Sequence, residues 1–213
     1  MIRLGLLACM TIKILIFLGV FMKCLTLRQP ALIIFFICIL LSPIKGYSNT
    51  GNSSLDILML GKTLPDAQLK SYGIANVEIN SLKGKIKIIS VVPQLNTPVC
   101  DKQTHQFSET NNGLDQHIDI ITVSTNTPGG QYEFAKKANI HNLSFLSDNL
   151  GFQFGLSTGL LIEGMGVLRR TIIVADKDNV IRYVDFVPGG GLPNINKALK
   201  AARDLLKLSK AKG

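Results

Sequence analysis

Tryptophan is absent from the chain, aromatic residues make up only 7% of it, and charged residues only 17%. Soluble domains usually carry charge on about a quarter of their residues. The apolar share of 46% is unevenly spread. Residues 1–46 contain no Asp or Glu, but hold two apolar blocks and five basic residues: Arg3, Lys13, Lys23, Arg28 and Lys45. The other 167 residues carry 18 Lys and Arg against 14 Asp and Glu, so the net charge of +9 falls to +4 without this stretch. No basic run alternates with aromatics, which leaves a nucleic-acid groove without support. Collagen-like, disordered and disulfide-stapled classes are excluded by composition. Cys9, Cys24 and Cys38 lie before residue 46, and Cys100 alone lies after it. A single thiol forms no internal disulfide, and no CxxC pair is present for zinc or dithiol chemistry. His105, His117 and His141 stand apart from one another and from any carboxylate pair, so a metal site is not expected.

The acid-free stretch reads as targeting. Ala31–Leu41 is an uncharged apolar run. It is too short for a bilayer span of about 20 residues and suits the apolar core of a signal peptide. Counted from Met22, the layout is a basic start (Lys23, Arg28), the apolar core, then the polar stretch SPIKGYSNTGNSS. Gly46 and Ser48 are the small residues available for cleavage. Residues 1–46 are therefore expected to be a leader, either a cleaved export signal or an uncleaved membrane anchor. The expected location is periplasmic or otherwise extracytoplasmic. Residues 47–54, rich in Gly, Ser and Asn, read as a linker, and 55–213 as one folded domain.

Within that domain the apolar runs are short and β-branched: Ile86–Val92, Ile118–Val123, Thr171–Ala175 and Val180–Val187. Helical patterns fall between and after them, at Pro98–Asn111, Gly130–Asn139, Asp148–Phe154 and Ile195–Lys210. In the last, Ile195, Ala198, Leu199, Ala202, Leu205 and Leu206 recur at intervals of three and four. Strands alternating with helices predict an α/β fold with a central mixed, mostly parallel sheet flanked by helices. Asp176–Asn179 reads as a hairpin turn that makes one edge antiparallel.

The chemistry concentrates in SVVPQLNTPVCDKQTHQF, residues 90–107. A strand ends near Val92, and Pro98 suits the first position of a helix because its missing N–H would be unpaired there anyway. Cys100 then lies in the first helical turn, where free amides and the helix dipole favour a thiolate. Thr97 is placed to cap the helix and to reach the sulfur. Pro93 shields the sulfur from water without offering a competing donor. A small buried hydrophobe is the alternative fate of such a cysteine.

Pro93, Thr97 and Cys100 spell P-x-x-x-T-x-x-C, which resembles the peroxidatic loop of the peroxiredoxins. VPQLNTPVCDKQTHQF is similar to the thiol peroxidase branch, which reads close to VPSLDTPVCDxQTRxF. Similarity continues through TVSTNTP (122–128), LSD (146–148), FG (154–155) and GVLRRTIIVADKDNVIRYV (166–184), and so spans about residues 55–208. The resemblance implies a thioredoxin-like fold and a cysteine-dependent peroxidase acting on hydrogen peroxide and organic hydroperoxides, without metal or organic cofactor. It also implies a homodimer. Carried over, Cys100 matches the peroxidatic cysteine, Thr97 its hydroxyl partner, Pro93 the shielding proline and Arg170 the active-site arginine. Arg169 faces elsewhere if 171–175 is extended.

One departure stands out. The branch places its resolving cysteine in a segment like D-L-P-F-A-x-x-R-F-C, whereas residues 126–135 read NTPGGQYEFA, with Ala135 at the resolving position. Asn126, Gly129 and Gly130 also depart, and the glycines predict a looser loop. The expected cycle therefore uses one cysteine, whose sulfenic acid is reduced by an external thiol, either small or thioredoxin-like. The competing expectation is a non-catalytic redox-sensing or binding protein.

Overall fold

The computed structural model describes residues 57–211. The expected leader and linker lie outside the described residues. The elements are β1 (Gln68–Ser71), β2 (Ile74–Glu78), β3 (Lys87–Val91), α1 (Pro98–Thr110), β4 (Asp119–Ser124), α2 (Pro128–Lys137) and β5 (Ser144–Ser147). They continue with α3 (Gln153–Thr158), β6 (Leu161–Ile162), β7 (Val167–Leu168), β8 (Thr171–Ala175), β9 (Ile181–Phe186) and α4 (Ile195–Ala211).

Seven strands form one sheet in the order β2-β1-β5-β4-β3-β8-β9, and β6 and β7 pair separately. β3 is buried along its whole length because both of its faces are covered. Successive strand residues point to opposite faces. Ile88 accordingly joins Phe107 of α1 and Ala198, Leu199 and Ala202 of α4 in one apolar cluster. Ile89 and Val91 join Leu64, Leu146 and Phe154 of α3 in the other. α4 buries the stripe that its three-four spacing marks out.

The expectation of a mostly parallel sheet is corrected. Only β3–β4 and β4–β5 run parallel, while β1–β2, β1–β5, β3–β8 and β8–β9 are antiparallel. The two parallel pairs are those joined by the crossover helices α1 and α2; β1–β2 and β8–β9 are joined by short turns and must reverse, while β1–β5 and β3–β8 pair antiparallel across long stretches of chain. The β8–β9 hairpin is as expected, with Asp176 Oδ1 accepting the amides of Asp178 and Val180 at 2.9 Å each.

The helix expected at Asp148–Phe154 starts instead at Gln153. The Asp148 carboxylate accepts the amides of Phe154 (3.0 Å) and Gly155 (2.8 Å) across a turn in which Phe152 has φ +49°. That contact accounts for the LSD and FG strings as one structural unit. β1, β2 and β5 were not foreseen. α2 begins at Pro128, so Gly129 and Gly130 lie inside a helix rather than in a loose loop. Thr127 caps it, its Oγ1 accepting the amide of Gly130 at 3.1 Å.

Candidate active site

β3 ends at Val91 and delivers the chain through Pro93 to α1, where Cys100 is the third residue. β8 pairs antiparallel with β3, Val91 opposite Thr171. Arg170, immediately before β8, therefore stands at the same end of the sheet as the Cys100 loop. A parallel β8 would have carried it to the other end of the five-residue strand, about 16 Å away.

The result is a buried pair: Arg170 Nη2 donates to Cys100 Sγ at 3.2 Å. Cys100 is fully buried, packed by Val92, Leu95, Phe134 and Phe145. Arg170 is also buried, whereas Arg169 is exposed, as alternation along an extended segment requires. A guanidinium donating to sulfur forms a charge-assisted bond, stronger to a thiolate than to a thiol.

Arg170 is itself held. Its Nη1 donates to Gln103 Oε1 at 2.6 Å, and Gln103 Nε2 donates to Ser90 Oγ at 2.8 Å. Ser90 shares the α1-facing side of β3 with Ile88, and Gln103 lies one turn after Cys100 on α1, so strand and helix present these groups to each other. Arg170 Nε is buried with no protein acceptor. Sequence reasoning passed over Gln103 and Ser90. The signal was available in part: Gln103 is three residues from Cys100, hence on its face of the helix.

Thr97 departs from expectation. Its hydroxyl neither caps α1 nor bonds the sulfur; Oγ1 donates to Gln94 O at 3.0 Å. The Thr97 amide also reaches Gln94 O, at 3.3 Å, so a tight turn ahead of the helix holds the side chain. The N-terminal amides of α1 are thus left without a side-chain cap. Pro93 is half-buried between β3 and this turn. The loop is fixed from outside by Asn126, whose Oδ1 accepts the amide of Leu95 at 2.9 Å. Ala135 lies on α2, one residue after Phe134.

The Redoxin family model matches residues 59–199. A thiol peroxidase of Streptococcus pneumoniae is 34% identical over 149 residues, covering 70% of this chain and 91% of that protein. The chain belongs to the thiol peroxidases of the Redoxin family. Another thiol peroxidase, from Halalkalibacterium halodurans, is 32% identical over 148 residues, covering 69% of this chain and 89% of that protein. Among solved structures, a peroxiredoxin-like protein from Aquifex aeolicus superposes with a TM-score of 0.64 at 28% identity, covering 70% of this chain and 88% of that one. A thiol peroxidase from Chromobacterium violaceum shares the fold, with a TM-score of 0.60 at 20% identity over 73% of this chain and 89% of that one. The fold is thus thioredoxin-like, and the enzyme is a peroxidase of the peroxiredoxin type. A non-catalytic sensor is not favoured.

Proposed function

We propose that this thiol peroxidase reduces hydrogen peroxide and organic hydroperoxides by a one-cysteine cycle. The Cys100 thiolate attacks the nearer peroxide oxygen; the S–O bond forms as the O–O bond breaks, and the departing oxygen takes a proton and leaves as water or alcohol. Cys100 becomes a sulfenic acid. Arg170 holds the thiolate and, through its unpartnered Nε–H, offers a donor to the peroxide as charge moves onto the leaving oxygen. The amide of Cys100 supplies a further donor, Thr97 holds the turn ahead of it through its bond to Gln94 O, and Pro93 keeps water from the sulfur. With Ala135 at the resolving position, an external thiol, either small or thioredoxin-like, completes the cycle. The observation that carries this reading is the 3.2 Å contact between the buried side chains of Arg170 and Cys100.

The same proposal has the enzyme exported, to the periplasm or another extracytoplasmic compartment. The acid-free leader supports this, with retention as a membrane anchor the alternative to cleavage. Among the described residues no helix is long and apolar enough to cross a membrane. A homodimer is proposed on family grounds. The deciding experiment is turnover with a small thiol as reductant. The wild-type protein consumes many equivalents of peroxide, and Cys100→Ser, near-isosteric but scarcely ionised, consumes none. Consumption that stops near one equivalent makes the protein a sensor, and turnover by the serine variant removes Cys100 from the mechanism.

A further inference from the structure

Beside the site a groove of about 800 Å³ runs between α1 and α2, within the range of small-ligand pockets. Leu95 and Phe134 line it, and the same two side chains pack against Cys100. A molecule seated in the groove therefore rests on the apolar layer that covers the sulfur.

The rim carries both signs of charge. Glu133 and Lys137 stand one turn apart on α2, a spacing at which carboxylate and ammonium groups commonly pair. Here they do not: among the described residues neither forms an ion pair. Asp101, on the facing wall, is engaged by His105 Nδ1 at 3.3 Å. One carboxylate and one ammonium are thus left uncommitted over one groove. The wall is lowest at Gly130, which contributes no side chain. In the segment D-L-P-F-A-x-x-R-F-C, which α2 resembles, position 133 is Arg, 130 is Ala and 135 is Cys. The helix that lacks the resolving sulfur also has its charge reversed at the rim.

We propose that this groove seats the reductant: a small thiol bearing an amino-acid headgroup, its ammonium at Glu133 and its carboxylate at Lys137. This rests on the reading that an external thiol completes the cycle. The seated thiolate attacks Sγ of sulfenylated Cys100. The S–S bond forms, the S–O bond breaks, and the departing hydroxide takes a proton from solvent, where the thiol released its own on ionising, and leaves as water. A second molecule of the same thiol attacks the first one's sulfur, releasing the Cys100 thiolate and a symmetrical disulfide. Phe134, half-buried above the sulfur, must rotate to admit the attack.

The test uses the full chain oxidised with one equivalent of hydrogen peroxide. Consumption of the sulfenic acid is timed with cysteine, glutathione and 2-mercaptoethanol, each rate expressed per thiolate. In Glu133→Gln and Lys137→Gln the peroxide step is unchanged. The cysteine and glutathione rates fall about fivefold, the scale of an exposed charge contact, while the 2-mercaptoethanol rate stays within about twofold. Equal effects on charged and neutral thiols, or none, overturn the proposal. So does a change of sedimentation coefficient in the variants with thiol rates intact, which assigns the groove to a second copy of the chain. If no small thiol consumes the wild-type sulfenic acid although the peroxide step proceeds, the small-thiol reading itself fails and a protein reductant is left.

Discussion

Cys100 and Arg170 are far apart in sequence and 3.2 Å apart in space, and the guanidinium stands between the sulfur and Gln103. A planar fork bonds sulfur with one nitrogen and Gln103 with another; an ammonium is a point charge and cannot hold both at fixed geometry. Arg170→Lys is therefore expected to slow sulfenic acid formation about a hundredfold, the loss of about 3 kcal/mol that removing one oriented donor costs. Thr97→Val costs less than Arg170→Ala, because the Thr97 hydroxyl bonds Gln94 O in the turn whereas the charged Arg170 donor bonds the sulfur itself. Gln103→Leu keeps the volume but removes the acceptor at Nη1, leaving a buried donor unsatisfied at a cost of about 1–3 kcal/mol. That variant should show both a lower urea midpoint and a slower peroxide step. Stopped-flow mixing with hydrogen peroxide reads the rates. An Arg170→Lys rate within about threefold of wild type rules out direct participation by the guanidinium.

At the scale of elements, the proposed one-cysteine cycle turns on α2, which carries Ala135. The helix is anchored along its length. Thr127 caps it, Gln131 Nε2 donates to Ser124 Oγ and Leu146 O at 2.9 Å each, Tyr132 stacks on Tyr72 at 4.3 Å, and Phe134 packs over Cys100. With alanine at 135 and the helix held in this way, one equivalent of peroxide should leave Cys100 as a sulfenic acid that a dimedone-type reagent traps. In excess peroxide it should pass readily to the sulfinic state. Mass spectrometry of the oxidised protein, cut free of its leader, checks this. A loss of two protons without a reagent adduct means a disulfide has formed, and the one-cysteine cycle must then be abandoned. Ala135→Cys is expected to add an internal disulfide only where α2 gives up these anchors, since bridged Cα atoms must lie within about 7 Å.

At the scale of the molecule, the sheet's other end holds a second buried cation. Lys87, on β3, is fully buried and donates to Asn179 Oδ1 at 2.6 Å and Asp176 O at 3.1 Å. Asn179 in turn donates to Ile79 O at 3.0 Å, so the lysine ties β3 to the β8–β9 turn and to the segment after β2. Burial lowers the Lys87 pKa from 10.5 to about 8, against the opposing pull of Asp119, Asp176 and Asp178. Between those two values the unfolded chain holds a proton that the folded chain has released, so this residue makes stability rise with pH across that window. Lys87→Met should remove the rise. Urea midpoints of both proteins at pH about 7.5 and about 10 check it, and equal pH slopes for the two proteins dismiss the effect.

The residues proposed to do the chemistry were legible in the sequence because the Cys100 loop is local. A strand end, a proline at the first helical position and a cysteine one turn on are contiguous, and their spacing carries the resemblance. Arg170, too, was legible only through that resemblance, since nothing in the order of residues says that β8 runs against β3. Long-range pairing decided the rest. The antiparallel pairing of β8 with β3 brings Arg170 to the sulfur, and the two faces of one buried strand send Ser90 to Gln103 and Lys87 to Asn179. Alternating helices and strands pointed to a parallel sheet, yet parallel pairing holds only where a helix crosses over. β1, β2 and β5 were invisible because they are short and owe their extended form to neighbours rather than to their own apolar pattern. The Thr97 hydroxyl shows the same limit at a single atom: composition places a cap there, and only the fold of the turn decides that it bonds Gln94 instead.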